Sequence, residues 1–366
     1  MEIVIFCSIV AFGIIYMDSS GIIDWGMKSG FILVTFLAAI HYDYGNDYMA
    51  YYKLYLSETN YEFDILSIFE RTSYRDPGWI MLCYLFKPFG GFFTMVAILN
   101  ILQNFLVYKT ITKYIDRKWW WLGAFIYLFS TNFYLVNFSM MRQGLCVCIF
   151  FGLWPWIVNR KWYFALPVIA VLTTLHGSTL LLVPFAFWGY LPVKNNKVWT
   201  GVYILSTLIL YFNQTITNNL LQSVLGLNER FDEYADTYGK DEFTATFGIG
   251  FIIHMIPFVL TMFYLWTCEN DTNREIKLIL ILASIGSLIT PFSIILPSLS
   301  RIGKYFSIYE VITIPYVYSA IRESYVRRTF IAIFLLITFY DYIMFFYDTT
   351  WIEHFAEFHT IFDVIL

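Results

Sequence analysis

Long apolar stretches separated by short polar turns run along almost the whole chain of 366 residues. Many of them approach the roughly 20 residues that a helix needs to cross a bilayer. The pattern predicts an all-α polytopic membrane protein, a single integral membrane domain over residues 1–366, with about 12 hydrophobic spans (10–12). The predicted spans are 3–17, 26–41, 92–112, 119–136, 142–158, 162–175, 178–190, 198–212, 247–267, 276–296, 304–321 and 329–347.

Polar stretches interrupt this pattern at three places. Residues 42–77 and 213–246 are predicted to be two longer extracytoplasmic loops. The tail, 348–366, is amphipathic and is expected to lie on the membrane surface. A short apolar piece, 79–86, is broken by Lys87-Pro-Phe-Gly-Gly91 and indicates a re-entrant or interfacial helix, which is tolerated only against protein or a water-filled cavity.

The distribution of basic residues predicts the orientation. Loops with excess lysine and arginine stay in the cytoplasm, so the cluster Lys109–Lys118 is placed inside. The later basic turns also fall inside if 162–190 is a hairpin that turns at His176-Gly177, and both termini then lie outside. The alternative is a single crossing, which would move those later turns to the outside.

Composition supports the membrane class and excludes several others. The chain is 59% hydrophobic and only 14% charged, whereas soluble domains carry about 25% charged residues. A net charge of −4 without a basic block gives no indication of nucleic-acid binding. The five cysteines are scattered, and no zinc motif, paired carboxylates beside a histidine, Walker loop or dinucleotide motif occurs, so we expect neither metal nor cofactor.

Under the predicted orientation, several polar residues fall at the outer ends of spans. Charged groups are costly in a bilayer and tend to mark function, so this set predicts a site for an anionic substrate. The alternative is chance placement of loop residues. The set is Asp47, Arg75, Arg142, His176 and Arg301.

Arg142 is the strongest candidate because it lies where one apolar segment ends and the next begins, within Asn137-Phe-Ser-Met-Met-Arg-Gln-Gly144. The guanidinium fork binds two phosphate oxygens at once and stays charged. Asn137 and Gln143 add hydrogen-bonding groups. The alternative is an arginine that extends to lipid headgroups from a helix end.

Five short motifs, in order along the chain, resemble the EpsG-like family of bacterial polysaccharide polymerases, in the broad Wzy class. Two departures occur: His41-Tyr42 replaces an arginine usual in the family, and Asp76 replaces a glutamate. The motifs are Tyr44-Gly-Asn-Asp-Tyr48 followed by Tyr51-Tyr52, Asp76-Pro-Gly-Trp79, Asn137–Gln143, Leu175-His-Gly-Ser178 and Ser300-Arg-Ile-Gly-Lys-Tyr305.

The resemblance implies a multi-pass protein of the bacterial inner (cytoplasmic) membrane that polymerises repeat units of exopolysaccharide, capsule or O-antigen. Its substrate would be an oligosaccharide on polyprenyl pyrophosphate. The growing glycan would pass from this carrier to the next lipid-linked unit at the periplasmic face, without a metal ion. A flippase and a chain-length regulator of the same pathway are possible partners.

The implied chemistry assigns roles to the candidates. Arg142 and Arg301 would bind the diphosphate, with Arg75 as a third cation and with Asn137, Gln143 and Tyr305 in support. His176 is the first candidate for the base that deprotonates the attacking hydroxyl, and Asp47 is the competing one. Their alternative roles are structural: a packed donor at a helix turn for His176, and a helix cap for Asp47.

Two other function classes stay open at this point. One is a flippase or other transporter of lipid-linked oligosaccharide, and the other is a membrane acyltransferase that modifies glycans. Transporters often carry internal repeats and charged residues at the midplane of the membrane. Here no repeat is evident and the candidate polar groups fall at one face, which favours an enzyme.

Overall fold

The apolar stretches fold into helices in the computed structural model, which describes residues 1–72, 76–193, 196–212, 219, 249–267, 273–289, 297–321 and 324–365. Among these residues, the strands form one antiparallel pair of two residues each. The predicted all-α class is therefore confirmed for the described part of the chain. The chain divides into unit 1, Met1–Tyr190 with Ile314–Leu366, and unit 2, Leu191–Thr313.

Unit 1 contains most of the helices. Its first part comprises α1 (Glu2–Ser19), α2 (Gly26–Ile40), β1 (His41–Tyr42), α3 (Tyr48–Thr59), α4 (Ile65–Arg71), α5 (Pro77–Phe86), α6 (Gly91–Tyr114), a 3₁₀ turn (Arg117–Trp119) and α7 (Trp120–Phe129). It continues with α8 (Val136–Ser139), α9 (Met141–Gly152), α10 (Trp154–Val158), α11 (Trp162–Leu175) and a 3₁₀ helix (Gly177–Tyr190).

The remaining elements complete both units. Unit 2 holds α12 (Asn196–Phe212), α13 (Ile249–Thr267), α14 (Arg274–Ile289) and α15 (Pro297–Ser307). The chain continues through α16 (Glu310–Ala320) into the second part of unit 1. That part also contains α17 (Ser324–Phe345), α18 (Ile352–Phe355), β2 (His359–Thr360) and α19 (Phe362–Ile365). The predicted loop 213–246 lies outside the described residues except for Asn219.

Three described helices are long and apolar enough to cross a membrane, namely α1, α6 and α17. Six shorter apolar helical stretches of 10–17 residues accompany them: Gly26–Ile40, Pro77–Phe86, Met141–Gly152, Trp162–Leu175, Gly177–Tyr190 and Met255–Thr267. These helices indicate an all-α membrane protein. The number of twelve spans stays a prediction.

Several predicted spans and loops differ from the observed elements. The span predicted over 119–136 is interrupted after Phe129, where the Asn132 N–H donates to Ser130 Oγ at 3.4 Å. Short polar side chains of this kind compete with helical hydrogen bonds. Conversely, the stretch 42–77 contains α3 and α4, and Asp64 caps α4 by accepting from the N–H groups of Leu66 and Ser67.

Helix α6 forms the centre of unit 1, because it packs against α2, α5, α7 and α9. Its 24 residues give it a length of about 36 Å. Asn100, Gln103 and Asn104 are each only 1% exposed on this helix. A buried polar stripe therefore runs along a helix that is otherwise apolar.

One end of unit 1, called here the outer end, is closed by the two strands and the N-terminus. His41 pairs with Thr360 and Tyr42 with His359 in the strand pair. The Met1 ammonium donates to the Ala356 carbonyl at 2.7 Å. The tail 348–366 thus forms short helices and a strand that hold the N-terminus and the end of α2 on the same side, as the predicted orientation requires.

The opposite end of α1 belongs to what we call the inner end of unit 1. Arg117 forms ion pairs with Asp18 at 2.7 Å and with Asp24 at 2.6 Å. Asp18 is 2% exposed and also accepts the Met27 N–H at 2.8 Å, which ties the start of α2 to the same carboxylate. The turn between α1 and α2 therefore meets the basic cluster that was placed in the cytoplasm.

The two apolar pieces around His176 fold back on each other. At their distant ends, Arg160 Nε donates to the Gly189 carbonyl at 3.2 Å, and its guanidinium lies 5.1 Å from the Tyr190 ring centre. The second piece is a 3₁₀ helix, whose rise of about 2.0 Å per residue extends 14 residues to about 28 Å. The two pieces therefore pack as a hairpin, and the prediction that each of them crosses the membrane stays a prediction.

We expect the substitution Gly26→Ala to destabilise the protein. A Cβ atom at position 26 would lie 2.2 Å from the Ile14 carbonyl oxygen, so α1 and α2 would have to separate. Such overpacking costs about 1–3 kcal/mol. Thermal unfolding in detergent measures the effect, and Gly13→Ala is the control because no atom lies within 4 Å of its Cβ position. Equal melting temperatures for the two variants would contradict the close packing.

Candidate functional site

Arg142 lies in the first turn of α9, directly after a break in the helical path. Met140, between α8 and α9, has ψ of 59°, which no α-helix allows. The residues before the break, Val136–Ser139, are buried. The Arg142 side chain itself is 28% exposed, so most of it is held in the protein and a smaller part reaches the surface.

Asp76 connects Arg142 to the turn at His176. Its Oδ2 atom accepts from Arg142 Nη1 at 2.8 Å, and its Oδ1 atom accepts the Gly177 N–H at 2.9 Å. The Asp76 side chain is 19% exposed, so the pair is shielded from most of the solvent. The Asp76 carboxylate therefore contacts both Arg142 and Gly177, which lie 66 and 101 positions further along the sequence.

The residues after Asp76 explain how this carboxylate is placed. Asp76 is the N-cap of α5 and has a left-handed backbone (φ 49°, ψ 44°), which aspartate tolerates better than most residues. Pro77 begins the helix. Gly78 permits contact with α11, because a Cβ atom there would lie 2.2 Å from Thr174 Oγ1. Trp79 is fully buried and packs on Tyr51 with ring centres 5.3 Å apart.

Helix α3 contributes a second group of contacts to Arg142. The guanidinium lies 5.2 Å from the Tyr51 ring centre, and Nε donates to Tyr51 Oη at 3.5 Å. Asp47 is half-buried at the N-cap of α3, but its side chain accepts no capping hydrogen bond from the helix, and it interacts electrostatically with Arg142. The structural alternative for Asp47, a helix cap, is absent.

The loop before α3 is fixed at two points. The Gly45 N–H donates to the His354 carbonyl at 2.9 Å, which connects it to the tail. Asn46 Oδ1 accepts a hydrogen bond from Ser139 Oγ, just before the break that precedes Arg142. The motifs Tyr44-Gly-Asn-Asp-Tyr48 and Asn137–Gln143 are thus in direct contact.

Asn137 and Gln143 support the loop from inside and do not face the surface. Both are 2% exposed. Asn137 Nδ2 donates to Tyr127 Oη at 3.0 Å, and Tyr127 in turn donates to Asn104 Oδ1 at 2.9 Å on α6. The Asn137 amide therefore anchors the segment before Arg142 to the buried polar stripe, and an anion at the surface would not reach either side chain.

The other predicted residues are placed as follows. His176 is half-buried in extended backbone at the turn, next to the Gly177 N–H that Asp76 binds. Arg301 is half-buried on α15 in unit 2, and Tyr305 on the same helix is fully buried. The diphosphate roles of Arg301 and Tyr305 stay predictions. Arg75 lies outside the described residues.

Asp76 and Tyr51 are the functional candidates that sequence reasoning did not single out. Each lies within a motif that was recognised, but neither was assigned a role. The signal was present for Asp76, since an acidic residue directly before Pro-Gly at a helix start has little other use than capping or ion pairing. For Tyr51, one tyrosine among many gave no signal.

The site as described contains cationic, carboxylate, imidazole and phenol groups. In the described ranges, no group of three or more histidine, cysteine, aspartate or glutamate side chains is close enough to hold a metal ion. The arrangement presents a partly exposed guanidinium with a carboxylate, a phenol and a histidine turn around it. Such a set is chemically suited to binding a phosphate-bearing ligand and to accepting a proton beside it.

Comparison with known proteins gives one strong match and one distant one. A family model described as the EpsG family matches residues 29–355, nearly the whole chain. Protein O-mannosyl-transferase tmem260 of Dictyostelium discoideum is 24% identical over 139 residues, a match that covers 32% of this chain and 17% of that relative. No solved structure matches.

We expect Asp76→Asn to destabilise the protein by about 1.5–3 kcal/mol, because hydrogen bonds to charged groups contribute about that much. Asparagine tolerates left-handed backbone, so the variant isolates the loss of charge. Asp43→Asn is the matched control, since Asp43 is exposed and also left-handed (φ 46°). Thermal unfolding in detergent measures both. Equal stability of the two variants would show that the ion pair is dispensable.

Proposed function

The chain belongs to the EpsG family, which is polysaccharide-polymerase-like, and on that premise we propose that it is a membrane glycosyltransferase that polymerises repeat units of a surface polysaccharide. The growing glycan would pass from its polyprenyl pyrophosphate to the next lipid-linked unit at the outer face of the bacterial inner membrane. The observation that supports this most is that Arg142 contacts Tyr51 and Asp76 from two other motifs, while Asp76 also binds Gly177 of a third.

Arg142 is the proposed binding group for the diphosphate. Transfer from a pyrophosphate carrier builds negative charge on the leaving diphosphate, and a fixed guanidinium stabilises that charge without rearrangement. Asp76 and Tyr51 hold the guanidinium from two sides, while its exposed part is available to phosphate oxygens. Arg301 and Arg75 are proposed as further cations for the same ligand.

The negative charge of the Asp76 carboxylate determines the role that we propose for it when substrate binds. In the structure its carboxylate neutralises Arg142, so the pair carries no net charge before substrate binds. A diphosphate would share the guanidinium, which has five N–H donors in a planar fork. Asp76 is therefore proposed as a positioning residue that orients Arg142 and the His176 turn together.

His176 and Asp47 are the two candidates for the base. The attacking hydroxyl of the next unit must lose its proton, which a nearby imidazole or carboxylate can accept. Asp76 holds the His176 turn next to Arg142, and Asp47 is in electrostatic contact with the same guanidinium. The reaction proposed needs no metal ion, because the pyrophosphate is already a good leaving group.

The distant relative agrees with glycosyl transfer in general. That relative is described as a protein O-mannosyl-transferase, and the matched stretch is only 17% of its length. We therefore draw from it only the class of reaction. Sugar identity, linkage and acceptor belong to the proposal made from the family and the site.

In a strain with Arg142→Ala, we expect single repeat units to accumulate, because the diphosphate loses its principal cation. Gel analysis of the surface glycan measures chain length. Arg71→Ala is the control, since Arg71 is a partly exposed arginine on α4 of the same predicted face. Arg301→Ala is expected to give the same intermediate as Arg142→Ala.

Other gel patterns would identify the competing functions. Loss of all exported units would indicate a flippase. Chains of ordinary length that lack an acyl group would indicate an acyltransferase. Ordinary, fully modified chains would remove Arg142 from the mechanism.

The base can be assigned by comparing two variants of the purified enzyme. If His176 is the base, His176→Gln should abolish most of the activity, because the imidazole that accepts the proton is lost. Asp47→Asn should then keep most of the activity. The reverse pattern would assign the role to Asp47.

A further inference from the structure

A second cationic feature lies at the inner end of unit 1, away from Arg142. The helix α1 joins the two ends: its N-terminus meets the tail at Ala356, and Ser19 at its other end accepts the Trp121 N–H at 3.0 Å. Eighteen helical residues span about 27 Å. Trp121 borders a groove between the start of α7 and the helix α17, which we call the inner groove.

The inner groove is lined by both charged and apolar side chains. Its volume is about 410 Å³. Lys118, Arg327 and Arg328 provide three positive charges, and Ile331 and Leu335 on α17 provide an apolar wall. Residues 331 and 335 are one helical turn apart, and Leu335 lies about 12 Å along the helix from Arg327.

The described acidic residues near the groove are engaged elsewhere or exposed. Asp18 and Asp24 pair with Arg117, which does not line the groove. Asp116 lies 3.9 Å from Lys118, but both side chains are more than two-thirds exposed, so this pair is weak. Among the described lining residues no carboxylate occurs. The groove therefore has a net positive charge.

Trp119 lines the same groove and contacts one of its arginines. The Arg327 guanidinium lies 5.7 Å from the Trp119 ring centre, while Arg327 Nη1 donates to the Ile321 carbonyl at 3.3 Å. The aromatic ring and the carbonyl oxygen thus hold the Arg327 cation at the groove.

We propose that the inner groove binds one anionic phospholipid from the inner leaflet, with its phosphate against Arg327, Arg328 and Lys118 and an acyl chain along Ile331 and Leu335. Cations at one end and an apolar wall at the other match the two parts of a lipid molecule. Basic pockets between membrane helices on the cytoplasmic side recognise anionic headgroups in this way. The inference rests on the predicted orientation in the membrane and is independent of the proposed glycosyl transfer.

Lipid binding to the full-length chain in detergent tests the proposal. Native mass spectrometry would compare short-chain phosphatidylglycerol with phosphatidylcholine. We expect preference for phosphatidylglycerol, and a loss of about 30-fold in its affinity for Arg327→Gln with Arg328→Gln, since each cation near a membrane surface contributes about fivefold. Lys161→Gln is the control, because Lys161 is an exposed lysine outside the groove.

Two further variants keep the test decisive. Replacing Arg327 and Arg328 by lysine keeps both positive charges, so this variant should retain most of the affinity for phosphatidylglycerol. It tests the role of charge even if the double glutamine variant folds poorly. Trp119→Ala should weaken binding through loss of the ring that holds the Arg327 guanidinium. Equal binding of the two lipids, an equal loss with Lys161→Gln, or full displacement by inorganic phosphate would each overturn the proposal.

Discussion

The site in unit 1 depends on a single carboxylate. Asp76 binds the Arg142 guanidinium with one oxygen and the Gly177 N–H with the other, so α5, α9 and the turn after α11 meet at one point. In a low-dielectric setting an unpaired guanidinium is costly, and the pair removes that cost while keeping the charge in place. The left-handed backbone of Asp76 is part of the same constraint, because it turns the carboxylate away from the helix it precedes.

A second polar system holds the arginine segment from within. The break between α8 and α9 leaves backbone and side-chain polar groups in the protein interior, where they need partners. Asn137, Tyr127 and Asn104 provide a chain of hydrogen bonds from this break to α6. A buried network of hydrogen bonds therefore supports the partly exposed Arg142 side chain, as a preformed binding group requires.

The two ends of unit 1 differ in the way they use charge. At the outer end, cation and anion are paired and shielded, and a ligand would have to share the guanidinium. At the inner end, Arg327 and Arg328 border an open groove whose lining carries no carboxylate in the described part of the chain. The first arrangement suits selective binding of one substrate group, whereas the second suits a lipid that is present in excess.

The sequence by itself determined the class of the protein, the position of most helices and the motifs that carry the site. Apolar length and basic turns are properties of neighbouring residues, so they can be read locally. The tertiary structure alone decided that Asp76 is the partner of Arg142, that Tyr51 is beside it, and that Asn137 and Gln143 point inward. These contacts join residues tens of positions apart, and no local pattern specifies them, because they depend on how the helices pack.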